Sequence, residues 1–365
     1  MSKTNRGYRG GVVADRRVLT IRREAKFFSL LFVVMLSLPF GKGRGWVAAQ
    51  IISTSPVAIS ISEPHFSRTF IREHKIKTIT ASVVDKPDGE IIRDKGLAQV
   101  YAFDTLGNIT RHYFNEITSL EKTETEIPAV YKRGHVVKKS FTKVDFQYQY
   151  DTLGTEFFYT STGYLIMKRV CIGDFYNSTY YEYFGDGLIS RQTLCKETNI
   201  AKPGEPFKLG VQTVLSEEKF EYEQLTTNQV KKKFLNDEGK PYKQGILNFV
   251  NGKPMDESYQ FVVGFIRSEV TYKYDAKERM TEKLNTDNSS GITTEKVTYE
   301  YDDTGNVKVE RRFKNGSQTN EIIYIYEAQS SLLPDSKGNQ LLTSQANREL
   351  LKSSIKIIKY DYTFY

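Results

Sequence analysis

Tryptophan and cysteine are almost missing from this chain. Its 365 residues include one Trp, two Cys, four His and five Met. Two cysteines are too few for a disulfide-dense scaffold or a Cys-rich zinc module. The four histidines, His65, His74, His112 and His135, show none of the close pairing that imidazole metal ligands adopt. A faint calcium-loop pattern at Asn285–Gly291 fails, because its glycine comes one place late and Lys296 stands where a bidentate Glu belongs. No Gly-x-Ser-x-Gly elbow occurs, and neither cysteine has the context of a reactive thiol. The sequence therefore offers no catalytic, cofactor or metal residue to name.

An excess of charge is also missing once its location is considered. Residues 1–49 hold ten basic and two acidic side chains, which accounts for the whole net charge of +8. The rest of the chain is neutral, so the basic balance gives no support to nucleic-acid binding. That leader reads as an export signal. Basic residues end at Lys26, an apolar core runs from Phe27 to Phe40, and Val47-Ala48-Ala49 supplies small residues for cleavage after Ala49. The core is too short to span a bilayer, which takes roughly 20 residues. The one tryptophan, Trp46, falls in the leader and would be lost. Export makes Cys171 and Cys195 a candidate disulfide pair. The strand pattern instead puts them two strand spacings apart, roughly 9–10 Å, so the pairing stays open.

What the chain has in quantity is tyrosine and phenylalanine, 24 and 22 residues. They fall on alternating positions, as in Val270-Thr271-Tyr272-Lys273-Tyr274 and Val297-Thr298-Tyr299-Glu300-Tyr301, which is the period of a strand with one packed face. Such strands run into a recurring phrase: Phe103-Asp104-Thr105-Leu106-Gly107-Asn108, Tyr150-Asp151-Thr152-Leu153-Gly154 and Tyr301-Asp302-Asp303-Thr304-Gly305-Asn306. The acid (Asp104, Asp151, Asp302) can accept backbone N–H bonds, and the glycine (Gly107, Gly154, Gly305) can take positive φ. Together they predict hairpins with a bulged turn. One domain over residues 50–365 follows, with loops at 116–135, 198–210 and 327–345 and short helices near 64–72 and 344–352.

The Tyr-Asp-x-x-Gly-Asn phrase resembles the YD repeat of RHS-type bacterial exported proteins. The resemblance implies an all-β antiparallel hairpin meander forming a curved or partly rolled sheet, and it carries no catalytic residue. The expected function is that of an exported, non-catalytic binding or scaffold module, secreted, periplasmic or at the cell surface. Its partner would be a protein or a cell-surface glycan, with no nucleic acid and no membrane contact beyond the leader. Two alternatives stand beside it: an exported hydrolase with a loop-built site, and an outer-membrane β-barrel. Against the barrel, counting back in twos from Tyr365 gives Thr363, Asp361 and Lys359, while the apolar face is Ile358, Tyr360, Tyr362 and Phe364.

Overall fold

The computed structural model describes residues 50–365 apart from 55, 57–63, 88, 90–91, 133–134, 139, 173–174, 203–204, 206, 329–339 and 352. The leader, Trp46 and the cleavage point after Ala49 lie outside the described residues.

Among the described residues one short helix, α1 (Arg68–Glu73), precedes twenty strands. These are β1 (Ile76–Pro87), β2 (Arg93–Phe103), β3 (Ile109–Ile127), β4 (Val130–Lys132), β5 (His135–Lys138), β6 (Phe141–Tyr159), β7 (Leu165–Ile172), β8 (Phe175–Tyr183), β9 (Ile189–Asn199) and β10 (Leu209–Thr226). There follow β11 (Gln229–Leu235), β12 (Pro241–Val250), β13 (Lys253–Phe261), β14 (Arg267–Tyr274), β15 (Met280–Asp287), β16 (Thr293–Tyr301), β17 (Val307–Lys314), β18 (Ser317–Ala328), β19 (Gln340–Glu349) and β20 (Ser354–Phe364). β4 and β5 form a small side hairpin. The other eighteen pair antiparallel in chain order, and β20 pairs back onto β1. The sheet is therefore a closed ring with no free edge. This corrects the open or partly rolled sheet. Alternation predicts strands, but closure depends on one pairing between the two ends of the domain.

Residues opposite one another in register share a face, so burial identifies the inside. Ile79, Ala81, Tyr101, Phe103, Phe157, Tyr181, Val307, Ile322, Tyr324 and Tyr360 come from strands around the ring and join one buried cluster. At the seam Ile79 faces Tyr362, Ala81 faces Tyr360 and Val83 faces Ile358. The outward face carries ion pairs instead. Lys273 meets Glu282 at 2.7 Å, Arg311 meets Glu321 at 2.9 Å, and Arg191 meets Glu182 at 3.2 Å. Arg111 lies 3.6 Å from Glu156, and Lys233 sits between Glu221 and Glu223 at 3.7 and 3.8 Å.

A ring of this many strands encloses more space than its own side chains fill. The segment before β1 occupies one end. Ile51, Ile52, Phe70 and Ile71 are almost fully buried there, each worth about 1.5–3 kcal/mol. Phe66 packs edge-on against Tyr101 at 5.0 Å and Phe103 at 5.9 Å. Ser67 caps α1, accepting from the Phe70 nitrogen, so the helix starts four residues into the expected 64–72 span. Thr54 bonds Tyr301 at 3.0 Å, and the Arg68 guanidinium donates to the Leu106 carbonyl at 3.2 Å.

The turns at Asp104 and Asp302 form as the phrase predicts. Asp104 Oδ1 accepts from the Leu106 and Asn108 nitrogens at 2.9 and 2.8 Å, and Gly107 takes φ +81°. Asp302 accepts from the Asn306 nitrogen at 2.8 Å. Asp275 builds the same turn without a glycine, and Glu278 takes the left-handed φ of +64°. Five strand tyrosines have a second task. The hydroxyls of Tyr183, Tyr274, Tyr301, Tyr326 and Tyr362 donate to the carbonyls of Leu165, Pro254, Met280, Val307 and Leu342 at 2.5–2.8 Å. Each ring packs inward while its hydroxyl ties one hairpin to the one before.

Several expectations fail. Asp151 and Gly154 make no turn; they lie inside β6, where Gly154 faces Tyr113 and a Cβ would come 2.9 Å from the Tyr113 ring. Most of 116–135 is strand, because β3 runs on to Ile127 against β6. Its Thr-rich, charged alternation is that of a ribbon wet on both sides. The expected helix near 344–352 does not form over 344–351: β19 extends to Glu349, held between β18 and β20, which overrides the local helix propensity of Ala346–Leu351. β19 also claims the end of the 327–345 loop, whereas 200–208 does connect β9 to β10. Cys171 on β7 and Cys195 on β9 are not bridged, with β8 between them.

Candidate functional site

Below the segment that fills one end, the ring keeps a cavity of about 590 Å³. Ile52, Ser53, Pro64 and His65 roof it, and inward residues of β2 and β15–β20 form its wall. On that wall Lys283, Arg312 and Lys314 face Glu295 and Glu310. Glu310 is buried and engaged twice, by Arg312 Nε at 2.7 Å and by the Tyr324 hydroxyl at 3.0 Å. Three amides line the same space with their carbonyls already occupied. Tyr101 donates to Gln99 Oε1 at 2.6 Å, Tyr360 to Gln345 Oε1 at 2.8 Å, and Asn320 to Asn347 Oδ1 at 3.3 Å. These bonds fix which end of each amide is free. Among the described residues none of the three NH₂ groups meets a protein acceptor, and Gln345 is only 6% exposed.

On the opposite inner wall two lysines sit among rings. Lys232 Nζ lies 4.2 Å from the Phe220 centroid and 4.7 Å from Phe234, while Lys243 Nζ lies 4.7 Å from Phe234 and 4.9 Å from Tyr259. Burial lowers the Lys232 amine to about 8, against the pull of Glu218 and Glu257. Burial likewise raises the Glu218 carboxyl.

The third cluster faces outward yet is buried. Glu197 on β9 has no exposure and accepts from Ser178 Oγ at 2.5 Å, Gln212 Nε2 at 2.8 Å, Arg169 Nε at 3.2 Å and the Tyr180 hydroxyl. Phe207, from the β9–β10 connection, covers it with its ring 3.8 Å from the Arg169 guanidinium carbon. Burial alone would raise the Glu197 carboxyl. The bonds from Ser178, Tyr180 and Gln212 and the Arg169 charge outweigh it and hold the group below its ordinary value. A carboxylate with this many donors is saturated, so the cluster pins four strands and a loop together.

Asp104, Gly107, Asp302 and Gly305 thus serve turns, and Asp151 and Gly154 sit in a strand wall. None of them borders the amide donors. Those amides carry no local signal, since Gln99, Gln345 and Asn347 look like ordinary strand polar residues until the ring brings them together.

No protein-family model and no curated protein matches this sequence. Solved structures give loose likenesses. A porin-like protein from Bacteroides uniformis is 10% identical with a TM-score of 0.30, over 80% of this chain and 97% of that one. A porin-like protein from Bacteroides vulgatus is 10% identical with a TM-score of 0.27, over 79% and 98%. A TcdB2-TccC3-TEV structure is 13% identical with a TM-score of 0.20, over 71% of this chain and 16% of that one. None of these likenesses assigns an activity. The YD-repeat resemblance is overturned: no family model supports it, and the hairpins close into an 18-stranded ring. Its phrase is bulged-turn chemistry, which recurs wherever a hairpin needs an acid and a left-handed residue.

Proposed function

We propose that this protein is an exported β-barrel that works in an aqueous compartment as a non-catalytic binding module, for a protein or glycan partner. The outward face carries the reading. It carries ion pairs such as Lys273–Glu282, Arg191–Glu182 and Arg311–Glu321, whereas a membrane barrel needs an outward apolar band about 25 Å tall. A Lys or Arg facing lipid at mid-depth costs about 2–4 kcal/mol. The buried carboxylates Glu197 and Glu310 are each taken up by protein donors, so neither stands as a free acid or base.

The second reading is an outer-membrane barrel. Closure of an even number of antiparallel strands in chain order favours it over an open hairpin scaffold. Fractionation of the native cells separates the two. A processed protein released by osmotic shock or found in the medium supports the aqueous reading. Recovery from outer membranes only with detergent, with heat-dependent gel migration, overturns it. Retention in the cytoplasm with the leader intact overturns both.

A further inference from the structure

We propose that the cavity beneath the N-terminal segment binds a short saccharide carrying one carboxylate. The inference deepens the proposed binding function and names the ligand class. Its size, about 590 Å³, falls within the roughly 300–1,000 Å³ of small-molecule pockets. The wall chemistry narrows the choice. Gln99, Gln345 and Asn347 each have the carbonyl occupied by a protein donor, so each presents an oriented NH₂ to the cavity. Gln345 as a residue is over nine-tenths buried, and its NH₂ opens on the cavity. A ligand dense in hydroxyl and ring oxygens supplies acceptors at several points at once.

Charge selects among such ligands. Of the four cations along the cavity lining, Lys283, Arg312 and Lys314 share the inner face with the carboxylates Glu295 and Glu310, while Lys296 alternates to the outer face, 4.5 Å from the Phe313 ring. Arg312 is committed to Glu310, and Lys314 stands opposite Glu295 in register. Lys283 has no ion-pair partner among the described residues, and it stands one inward position from Asn285. One surplus ammonium matches one ligand carboxylate. A polyphosphate would bring more negative charge than this wall balances. An extended peptide carries fixed N–H donors alongside its carbonyls, whereas each sugar hydroxyl rotates to accept from a wall donor.

The test is calorimetric titration of the full-length protein with three probes. They are glucuronosyl-N-acetylglucosamine, neutral diacetylchitobiose, and the acidic peptide acetyl-alanyl-glutamyl-alanine amide. The acidic disaccharide should saturate one site, bind more tightly than the neutral one, and leave the peptide without measurable heat. Gln345→Glu keeps the acceptor for Tyr360 while removing the donor, and should weaken the acidic disaccharide by about tenfold. Lys283→Gln, a side chain exposed within the barrel, should weaken the acidic disaccharide and leave the neutral one unchanged. No saturation by the acidic disaccharide, equal binding of the peptide, or wild-type affinity in both folded variants would overturn the assignment. Titration in solution is independent of compartment, so failure here and failure in the fractionation remain distinct.

Discussion

Replacing Gly107 with alanine tests whether the N-terminal segment is seated on the barrel turns. Gly107 and Gly239 are matched positions. Each is the fourth residue of its turn, each donates its N–H to the first residue's carbonyl at 2.9 Å, and their φ values are +81° and +76°. An alanine therefore meets the same left-handed backbone cost at both, about 1–2 kcal/mol. Their surroundings differ. A Cβ at Gly239 meets open space, whereas at Gly107 it would land against the Arg68 carbonyl oxygen, with the Arg72 nitrogen 3.1 Å away. Both atoms belong to α1 backbone, which cannot swing aside as a side chain would. Overpacking of this kind costs about 1–3 kcal/mol, so Gly107→Ala should destabilise by that much more than Gly239→Ala. Urea unfolding of both variants, read by far-ultraviolet circular dichroism, gives the difference directly. Equal losses would mean that α1 does not rest on this turn, and the account of how that end is filled would fail.

Two further perturbations probe the wall. Tyr326→Phe and Tyr362→Phe each remove one hydroxyl-to-carbonyl tie and should each cost about 1 kcal/mol in the same unfolding assay, while Tyr365, at the chain end, makes a poor comparison. Both behaving as wild type would remove the tie from the list of stabilising contacts. Glu197→Ala leaves the Arg169 guanidinium without its principal buried partner and should cost about 3–5 kcal/mol at neutral pH. Because the folded carboxyl titrates below its unfolded value, its contribution is present above the unfolded pKa and lost as pH falls through the folded one. The gap between wild type and Glu197→Ala should therefore narrow in acid, and a gap independent of pH down to the acid transition would refute the linkage.

Local chemistry was the legible part of this sequence. Asp104, Gly107, Asp302 and Gly305 announce their turns because a turn is completed within five residues. Alternating tyrosines announce strands for the same reason. Legibility failed where partners decide. Residues 116–127 looked like a loop because neither face of that stretch is apolar, and only the register with β6 shows it to be strand. Ala346–Leu351 has helical composition, but β18 and β20 offer hydrogen bonds on both sides and the backbone takes them. Asp151–Gly154 has the right letters for a turn, yet Gly154 is used to admit the Tyr113 ring. The cavity was least legible of all. Its amides come from β2 and β19, whose sequences contain nothing that distinguishes them from other wet strand positions.

The direction in which the barrel faces rests on its closing seam. A period-two pattern reads alike whether its apolar set points to a lumen or to lipid, and shifting a strand by one residue exchanges the two. On β20 the choice lies between Ile358, Tyr360, Tyr362 on one side and Lys359, Asp361, Thr363 on the other. Register with β1 puts the first set opposite Val83, Ala81 and Ile79, all buried and the last two in the common core, and the second opposite Ser82, Thr80 and Thr78. Shifting that seam by one residue would place Lys359 and Asp361 inside a core held by Ile79 and Tyr101, and would expose Tyr360 and Tyr362 with their hydroxyls unbonded. The cost of burying the charges alone exceeds what any single turn could impose. The terminal strand thus does more than finish the ring. Its polarity fixes which face turns outward, and the tyrosine ties and inward amides along the wall take their orientation from that choice.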